Sequence, residues 1–296
     1  MEQLVPLPPI TKLSPLTTRI LGQNPGKFTL QGTNTYLLGT RPPYILLDTG
    51  EGKDAYISLL EEVLMSSSNS GAQLVSDVVL SHKHADHHAG LPSVLSLLAE
   101  HHSPAPVIHK FPLSSPDPVV ESTRLQLPAQ ERTWADLSDG QVLRGEGVTL
   151  RILYTPGHTE DSICLYLEEE EALFTADAVL GQGTTVFEDL GAYMSSLRLL
   201  LERFPRAEHV YPGHGPVVER GRGHIGQYIA HREEREEEIL AVLRQRGGTV
   251  REIVRVVYAR YEESLWGAAE RGVRLHLLKL EGEGRVRRVG ERWEVV

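Results

Sequence analysis

The chain contains the stretch Ser81-His82-Lys83-His84-Ala85-Asp86-His87-His88, which holds four imidazoles and a carboxylate within eight residues. The apolar run Val78–Leu80 precedes it and predicts a buried strand, so the polar residues begin where that strand ends. In layered α/β folds, pockets form at such strand ends. Imidazole nitrogen and carboxylate oxygen are ligands that zinc prefers, and the stretch therefore indicates a metal site.

The spacing H-x-H-x-D-H has a geometric consequence for this site. In an extended segment, His82 and His84 project to the same side of the chain. If a helix begins directly after them, Asp86 and His87 turn toward a second point nearby. One segment can then serve two adjacent metal ions. The alternative interpretation is a set of solvated surface histidines that bind metal adventitiously.

Three further polar turns follow predicted strands and offer single ligand side chains: His158 in Tyr154–Thr159, Asp177 in Phe174–Asp177, and His214 in Tyr211–Gly215. Pro-Gly precedes the histidine in two of these turns, and this pair makes a tight turn that holds an imidazole at a strand tip. Each turn alone is ordinary. The four segments together, in this order, predict a common site.

With this order of ligands, the chain resembles the metallo-β-lactamase-fold superfamily and matches each position of its ligand pattern. The resemblance implies seven ligands for two zinc ions: His82, His84 and His158 for one, Asp86, His87 and His214 for the other, with Asp177 bridging both. Asp86 is the candidate catalytic residue, which would orient a water or accept its proton. The resemblance also suggests that Asp48 is a hydrogen-bond partner that fixes the tautomer of a ligand.

Other segments narrow the resemblance to the β-lactamase-like protein 2 subgroup: Leu30–Leu37, Leu47–Gly50, Gly183–Leu190 and the tail from Gln227 to Leu280. This subgroup includes an animal mitochondrial endoribonuclease and fungal thioesterases that release polyketide chains from an acyl carrier protein. Lys83 departs from the subgroup, which usually has Trp there, and we expect it to change the pocket wall rather than metal binding. Asn34, Tyr36 and His231 are further candidates for approaching the site, whereas His88 is expected to point away.

The composition fits a globular protein with a large and a small domain, since 40% of the 296 residues are hydrophobic. No run of about eighteen apolar residues predicts a membrane span. Met1–Ile20 lacks a signal-peptide core and an Arg-rich amphipathic pattern, and predicts an extended arm packed on the body. The single cysteine, Cys164, excludes an internal disulfide. We therefore expect a cytoplasmic protein, with the mitochondrion as the alternative.

The order of strand-like and helix-like runs favours an α/β fold, the αββα sandwich of the metallo-β-lactamase type. The strand-like runs are Phe28–Leu38, Tyr44–Asp48, Leu74–Leu80, Val148–Leu153, Ile163–Leu167 and Ala172–Thr175. The helix-like runs are Ala55–Met65, Leu91–Glu100 and Tyr193–Phe204. The stretch Pro104–Gln130 is rich in Pro and Ser and predicts a long loop near the metal site.

We predict three parts: a catalytic body over residues 1–217, a linking charged helix over 218–247 and a small winged-helix-like C-terminal domain over 248–296. Residues 244–296 contain 12 Lys+Arg and 8 Asp+Glu, a balance of +4; the whole chain is −10, so the rest carries −14. Such a basic appendage can contact nucleic acid or an acidic carrier protein. The alternative, which we favour, is a cap that docks on the body. The oligomeric state stays open.

Three functional hypotheses follow. Two zinc ions about 3.5–4 Å apart can share a water whose pKa falls toward ~7, and the resulting hydroxide attacks a carbonyl or phosphoryl centre. The first hypothesis is a thioesterase or ester hydrolase acting on an acyl chain held by a carrier protein or small thiol. The second is an endoribonuclease for single-stranded RNA, which the acidic body disfavours. The third is a non-enzymatic interaction protein, which is the weakest because seven ligands leave open positions on two ions.

Overall fold

The computed structural model of the protein describes residues 4–66, 73–131 and 134–296, so Met1, where the expected arm begins, lies outside them. Within these ranges the chain forms two large sheets and a two-stranded ribbon. The strands of the first sheet lie side by side in chain order: β1 (Ile10–Lys12), β2 (Thr17–Leu21), β3 (Asn34–Leu38), β4 (Tyr44–Leu47), β5 (Val75–Leu80), β6 (Val107–Lys110) and β7 (Ala135–Asp136).

The second sheet and the helices complete the body. The second sheet has, from one edge to the other, β12 (Val210–Pro212), β11 (Ala172–Ala176), β10 (Ile163–Leu167), β9 (Val148–Tyr154) and β8 (Val142–Gly145). The helices of the body are α1 (Asp54–Ser66), α2 (Ala85–His88), α3 (Leu91–Glu100), α4 (Pro118–Gln126), α5 (Leu190–Arg203) and α6 (Gly221–Arg246).

The layering follows from strands that are apolar on both faces. In β4, Tyr44 and Leu46 pack against α1 and α3 on the outer side of the first sheet, whereas Ile45 and Leu47 face the second sheet. In β10, Cys164 faces the core beneath α5 and α6. A strand buried on both faces reads as a continuous apolar run, which is what the sequence has here. The αββα architecture is therefore confirmed.

Parallel pairing brings the ends of distant strands to one edge of the molecule. β4 and β5 run parallel, with α1 between them in the chain, and β11 and β12 run parallel in the second sheet. The carboxyl ends of parallel strands lie at the same edge of a sheet, so the polar turns after these strands come together there. This pairing determines where the functional side chains lie.

Two sequence predictions about elements are wrong. The predicted strand Phe28–Leu38 is a strand only from Asn34 onward, because Leu30 and Gly32 have φ angles of 52° and 127° and turn the chain out of a pleat. The predicted loop Pro104–Gln130 contains β6 and α4, and Asp117 caps α4 by accepting hydrogen bonds from the amides of Val119 and Val120.

The expected N-terminal arm is extended, as predicted, but it forms two strands of the first sheet rather than lying across it. β2 pairs antiparallel with β3, and all five of its residues are buried. Its residues Thr17, Thr18 and Arg19 are polar, so no alternation of apolar residues marks it in the sequence.

The C-terminal domain is a winged helix built on the end of α6. Its own elements are α7 (Val250–Val257), α8 (Trp266–Gly282) and the ribbon of β13 (Val286–Val289) with β14 (Arg292–Val295). Thr249 and Glu252 form a capping box at the start of α7. Ile239, Leu240 and Leu243 of α6 belong to the core of this domain. The boundaries at 217 and 247 stay a prediction, and α6 contributes apolar residues to the cores on both sides.

Within the ranges that the structure describes, no helix combines the length and the apolar character needed to cross a membrane.

Candidate metal centre

The histidine-rich stretch after β5 has the conformation that its spacing predicts. His84 is extended, with φ −71° and ψ 136°, and α2 begins at the next residue. His82 and His84 therefore point to one place, and Asp86 and His87 on the first turn of α2 point to another. The structure brings His158, Asp177 and His214 to the same edge, so all seven predicted ligands lie in two adjoining clusters.

The first cluster consists of three imidazole nitrogens. His82 Nε2 lies 3.0 Å from His84 Nδ1, and His158 Nε2 lies 3.3 Å from the former and 3.0 Å from the latter. Three ring nitrogens in a triangle of this size cannot all carry hydrogens. Tetrahedral zinc with Zn–N bonds of ~2.0–2.1 Å places its nitrogens roughly 3.3 Å apart, so the triangle fits one zinc ion.

The second cluster combines a carboxylate with two imidazoles. Asp86 Oδ2 lies 3.4 Å from His87 Nε2 and 3.2 Å from His214 Nε2, and the two nitrogens are 3.4 Å apart. These separations also match the ligand spacing of one tetrahedral ion.

Asp177 lies between the clusters. Its Oδ1 is 3.4 Å from His87 Nε2, and its Oδ2 is 3.3 Å from His214 Nε2 and 3.7 Å from His158 Nε2. Asp177 Oδ1 is buried and accepts no hydrogen bond from any described residue. A buried carboxylate oxygen without a donor suits a metal ligand, so Asp177 fits a place between metal ions at the two clusters.

Hydrogen bonds behind the rings of His87 and His158 fix which nitrogen of each faces the clusters. His87 Nδ1 is 2.7 Å from Asp48 Oδ2, and His158 Nδ1 is 2.7 Å from the carbonyl oxygen of Val186. Asp48 also accepts hydrogen bonds from the amide and hydroxyl of Ser81. Because Nδ1 is the donor in both rings, Nε2 is the nitrogen that would offer its lone pair to a metal ion at the cluster. Asp48 thus lies where the resemblance suggested.

The electrostatics of the two clusters differ. Burial, followed by the nearby His87 and His158, lowers the pKa of His82 well below its ordinary value. In the second cluster, burial would lower the pKa of His87, but Asp86 and Asp177 raise it well above its ordinary value. At His214 burial also acts to lower the pKa, but Asp177 and Asp86 raise it to about 9. The surroundings of His82 therefore favour the neutral ring, whereas those of His87 and His214 favour positive charge.

A cavity of about 500 Å³ opens above both clusters. Its floor includes His84, Asp86, His158, Asp177 and His214, and its apolar walls are formed by Phe28, Leu30, Leu180 and Val186. Phe28 is 72% exposed and Val186 is 57% exposed, so apolar surface faces solvent at the rim. Among the described residues that line the cavity, Lys27 is the only lysine or arginine.

The remaining sequence candidates lie outside the clusters. Lys83 pairs with Glu188 at 3.1 Å and is not among the residues that line the cavity. Any effect of Lys83 on the wall of the cavity is therefore indirect. His88 points away, as predicted, with Nε2 2.9 Å from the carbonyl of Lys83. Asn34 and Tyr36 approach the site from behind, because both donate to the carbonyl of Pro212 in the turn that carries His214.

Sequence reasoning missed four supporting residues. Ser81 lies against Asp48 and His82, and Thr33, held by Asn24, lies against Asp86. Arg232 of α6 donates to the carbonyl of Thr185, in the loop whose Val186 carbonyl contacts His158. Only Ser81 had a signal, namely its place at the end of β5; the others are far from the cluster in sequence.

An αββα sandwich with a His/Asp cluster at the edge of its paired sheets defines a class of hydrolase, and the comparisons agree with it. The family model described as Metallo-beta-lactamase superfamily matches residues 28–214, more than half of the chain. The protein belongs to this superfamily. Residues 249–293 match the beta-lactamase associated winged helix domain.

Individual relatives show which members of the superfamily the chain is similar to. The chain is 40% identical over 286 residues to a beta-lactamase-like protein 2 homolog of Caenorhabditis elegans, covering 96% of this chain and 90% of the relative. It is 37% identical over 263 residues to an atrochrysone carboxyl ACP thioesterase of Claviceps purpurea, covering 87% and 76%. A metallo-beta-lactamase family protein of Thermus thermophilus has a similar solved structure, with a TM-score of 0.70, 25% identity and coverage of 96% and 100%.

Proposed function

We propose that the protein is a zinc-dependent thioesterase that releases an acyl chain from a carrier protein or a small thiol. The observation that carries this proposal is the cavity above the clusters. Its walls are largely apolar, and Lys27 is the one lysine or arginine among the described residues that line it. An acyl chain that covers such walls is stabilised by about 25 cal/mol for each Å² of apolar surface removed from water. A long polyanion needs several cations along its path.

The residues divide into two ligand sets and one bridging group. His82, His84 and His158 would hold one zinc ion, Asp86, His87 and His214 the second, and Asp177 would contact both. Each ion would then have three ligands of its own and a share of Asp177, and a water would bind as a further ligand, which catalytic zinc sites accept by expanding to five-coordination. Zinc in such a site supplies Lewis acidity, which makes water a nucleophile near neutral pH and polarises a carbonyl oxygen.

The chain's own residues handle the proton and the leaving group. Asp86 orients the attacking water and accepts its proton at a carboxylate oxygen. The water oxygen forms a bond to the acyl carbon, the carbon–sulfur bond breaks, and the thiolate leaves. The proton on Asp86 then passes to that thiolate, so the carboxylate is regenerated. The products are a carboxylic acid and a thiol.

A second candidate is an endoribonuclease for single-stranded RNA. The observation in its favour is the set of exposed arginines on the winged helix: Arg251 and Arg255 on α7, and Arg271 and Arg274 on α8. These arginines form no salt bridge within the part of the chain that the structure describes. The same metal centre would then act on a phosphodiester.

One assay separates the candidates. The protein is purified with zinc, its zinc content is measured, and an acyl-pantetheine thioester and a single-stranded RNA are offered side by side, with Asp177→Ala as the blank. We expect about two zinc ions per chain, thioester hydrolysis and intact RNA. Cleavage of RNA without thioester hydrolysis would overturn the thioesterase proposal in favour of the nuclease. Bound zinc without either activity would favour the interaction protein.

The ligand assignment has its own test. His84→Ala should abolish hydrolysis while the protein stays folded, with a loss greater than the about 100-fold that follows removal of a supporting hydrogen bond. His209→Ala is the matched control, because His209 pairs with Glu219 and is about half exposed. Rates and circular dichroism of both variants are compared with the wild type. Near-normal turnover by His84→Ala would refute the assignment.

A further inference from the structure

The orientation of the Asn24 carboxamide is fixed by its neighbours. The backbone N–H of Thr33 lies 2.9 Å from Asn24 Oδ1. A backbone amide can only donate, so the atom that it contacts is the oxygen, and the other end of the carboxamide is the NH₂ group. That group lies 3.0 Å from Thr33 Oγ1 and 3.2 Å from Glu51 Oε1. Asn24 therefore donates a hydrogen bond to the Thr33 hydroxyl.

This orientation decides where the hydroxyl hydrogen of Thr33 goes. Thr33 is fully buried, and its oxygen already accepts from Asn24. A hydroxyl has one hydrogen to donate, and Asp86 Oδ2 lies 3.2 Å away. The three side chains form a directed chain of donors that begins at Asn24 and ends on the Asp86 carboxylate. Each bond in such a chain polarises the next.

The receiving atom is the oxygen of Asp86 that belongs to the second cluster. Asp86 Oδ2 faces both His87 Nε2 and His214 Nε2, whereas no described residue donates a hydrogen bond to Oδ1. The Asp86 side chain is 20% exposed and lines the cavity. These contacts hold Oδ2 on two sides and leave Oδ1 without a donor among the described residues.

We propose that Thr33, oriented by Asn24, is a positioning residue for the reaction. Its hydroxyl holds the Asp86 carboxylate so that Oδ2 faces the zinc ligands of the second cluster and Oδ1 faces the attacking water. The assignment of Oδ1 rests on the proposed function, whereas the lock on Oδ2 concerns zinc binding alone. Supporting hydrogen bonds of this kind affect metal affinity or activity by about 10–100-fold.

The test uses a matched pair of variants at one position. Thr33→Val keeps the size and branching of the side chain and removes the hydroxyl, whereas Thr33→Ser keeps the hydroxyl and removes the methyl group. We expect Thr33→Val to lower kcat about 10–100-fold with little change in KM, and to weaken the affinity for one of two zinc ions about tenfold. Thr33→Ser should stay near the wild type in both. Zinc affinity is measured by competition with a chelator, and thermal stability is measured alongside.

A third variant keeps the hydroxyl and redirects its hydrogen. Asn24→Asp retains the acceptor for the Thr33 amide but replaces the NH₂ donor with an acceptor, which attracts the hydroxyl hydrogen away from Asp86. We expect kcat to fall about 10–100-fold and zinc affinity about tenfold, as predicted for Thr33→Val, so Asn24→Asp provides the test if Thr33→Val does not fold.

Several outcomes would overturn the proposal. Wild-type kcat and zinc affinity in Thr33→Val, or a changed melting temperature with nothing else altered, would reduce Thr33 to a packing role. Equal defects in Thr33→Ser and Thr33→Val would assign the effect to the methyl group. If no substrate is hydrolysed by any form but zinc affinity still separates the two variants, the lock on Asp86 stands and the thioesterase proposal fails.

Discussion

At the scale of single residues, Asp48 supports the candidate metal centre from behind. Its backbone has φ 60°, in the left-handed region that Asp and Asn tolerate better than other side chains. Its two oxygens accept three hydrogen bonds, two from Ser81 and one from His87. This residue therefore holds the end of β5 and one ligand ring together.

The substitution Asp48→Asn tests this role without disturbing the backbone. Asparagine fits the same φ, but its NH₂ group must face a donor, either Ser81 or the ring of His87. We expect zinc affinity to fall about 10–100-fold, measured by chelator competition. Asp117→Asn is the matched control and should be neutral, because Asn caps a helix as well as Asp does. Unchanged zinc affinity in Asp48→Asn would contradict the assignment.

The sequence predicted the ligand candidates better than the residues behind them. Histidines and aspartates in short turns after apolar runs are unusual, and all seven candidates lie together. Their role as zinc ligands stays a prediction. Thr33 and Asn24 gave no signal, because Thr and Asn are common in turns and Thr33 contacts Asp86 across 53 positions of sequence.

At the scale of elements, the turn before His214 depends on the absence of a side chain. A Cβ on Gly213 would overlap Asp177 Oδ1 and lie 2.9 Å from the backbone carbon of Ala176. We expect Gly213→Ala to push Asp177 out of place, so that the protein loses bound zinc. The zinc content after dialysis against metal-free buffer checks this expectation.

Gly223→Ala is the control for that experiment. Gly223 lies in α6 with open space around it, so alanine should leave zinc binding intact and stabilise the helix by up to about 1 kcal/mol. Full zinc occupancy in Gly213→Ala would show that the turn can relax, and the packing argument would be wrong.

The helices and strands show where a local sequence pattern is enough to predict an element. α3 over Leu91–Glu100 and β10 over Ile163–Leu167 were predicted to the residue, because an apolar period or run determines each. β2 was missed because its polar residues are buried by pairing with β3, which no local pattern reveals. α4 was missed although Asp117 before Pro118 is a start signal for a helix, since its apolar periodicity is weak.

At the scale of the whole molecule, Glu236 of α6 joins the long helix to the winged helix. Its carboxylate lies 2.6 Å from both Lys279 Nζ and Arg285 Nη1. Burial acts to raise the pKa of Glu236, but His276, Lys279 and Arg285 outweigh it and lower the pKa to about 2. A carboxylate with a lowered pKa stabilises the fold above its ordinary pKa, and the contribution is lost as the pH falls toward the folded-state value.

The variant Glu236→Gln tests this linkage. At pH 7 it should lower the free energy of unfolding by about 2 kcal/mol, because Lys279 and Arg285 each lose one charged hydrogen-bond partner and keep Glu283. The difference from the wild type should shrink as the pH falls from about 4.5 toward about 2, which urea unfolding at several pH values measures. Glu238→Gln, in which the exposed glutamate loses its pair with Arg235, should cost less than about 1 kcal/mol. A difference that stays constant with pH would contradict the assignment.

The wide separation of the cluster residues along the chain also affects when the site can form during synthesis and folding. His87 and His214 are 127 positions apart, so a growing polypeptide exposes the first stretch long before its partners leave the ribosome. Until then, four free imidazoles can chelate passing cations loosely and without selection. Contacts between such distant positions also form slowly. The complete set of cluster residues is therefore available to a metal ion only after the strands that carry His158, Asp177 and His214 have been synthesised and paired.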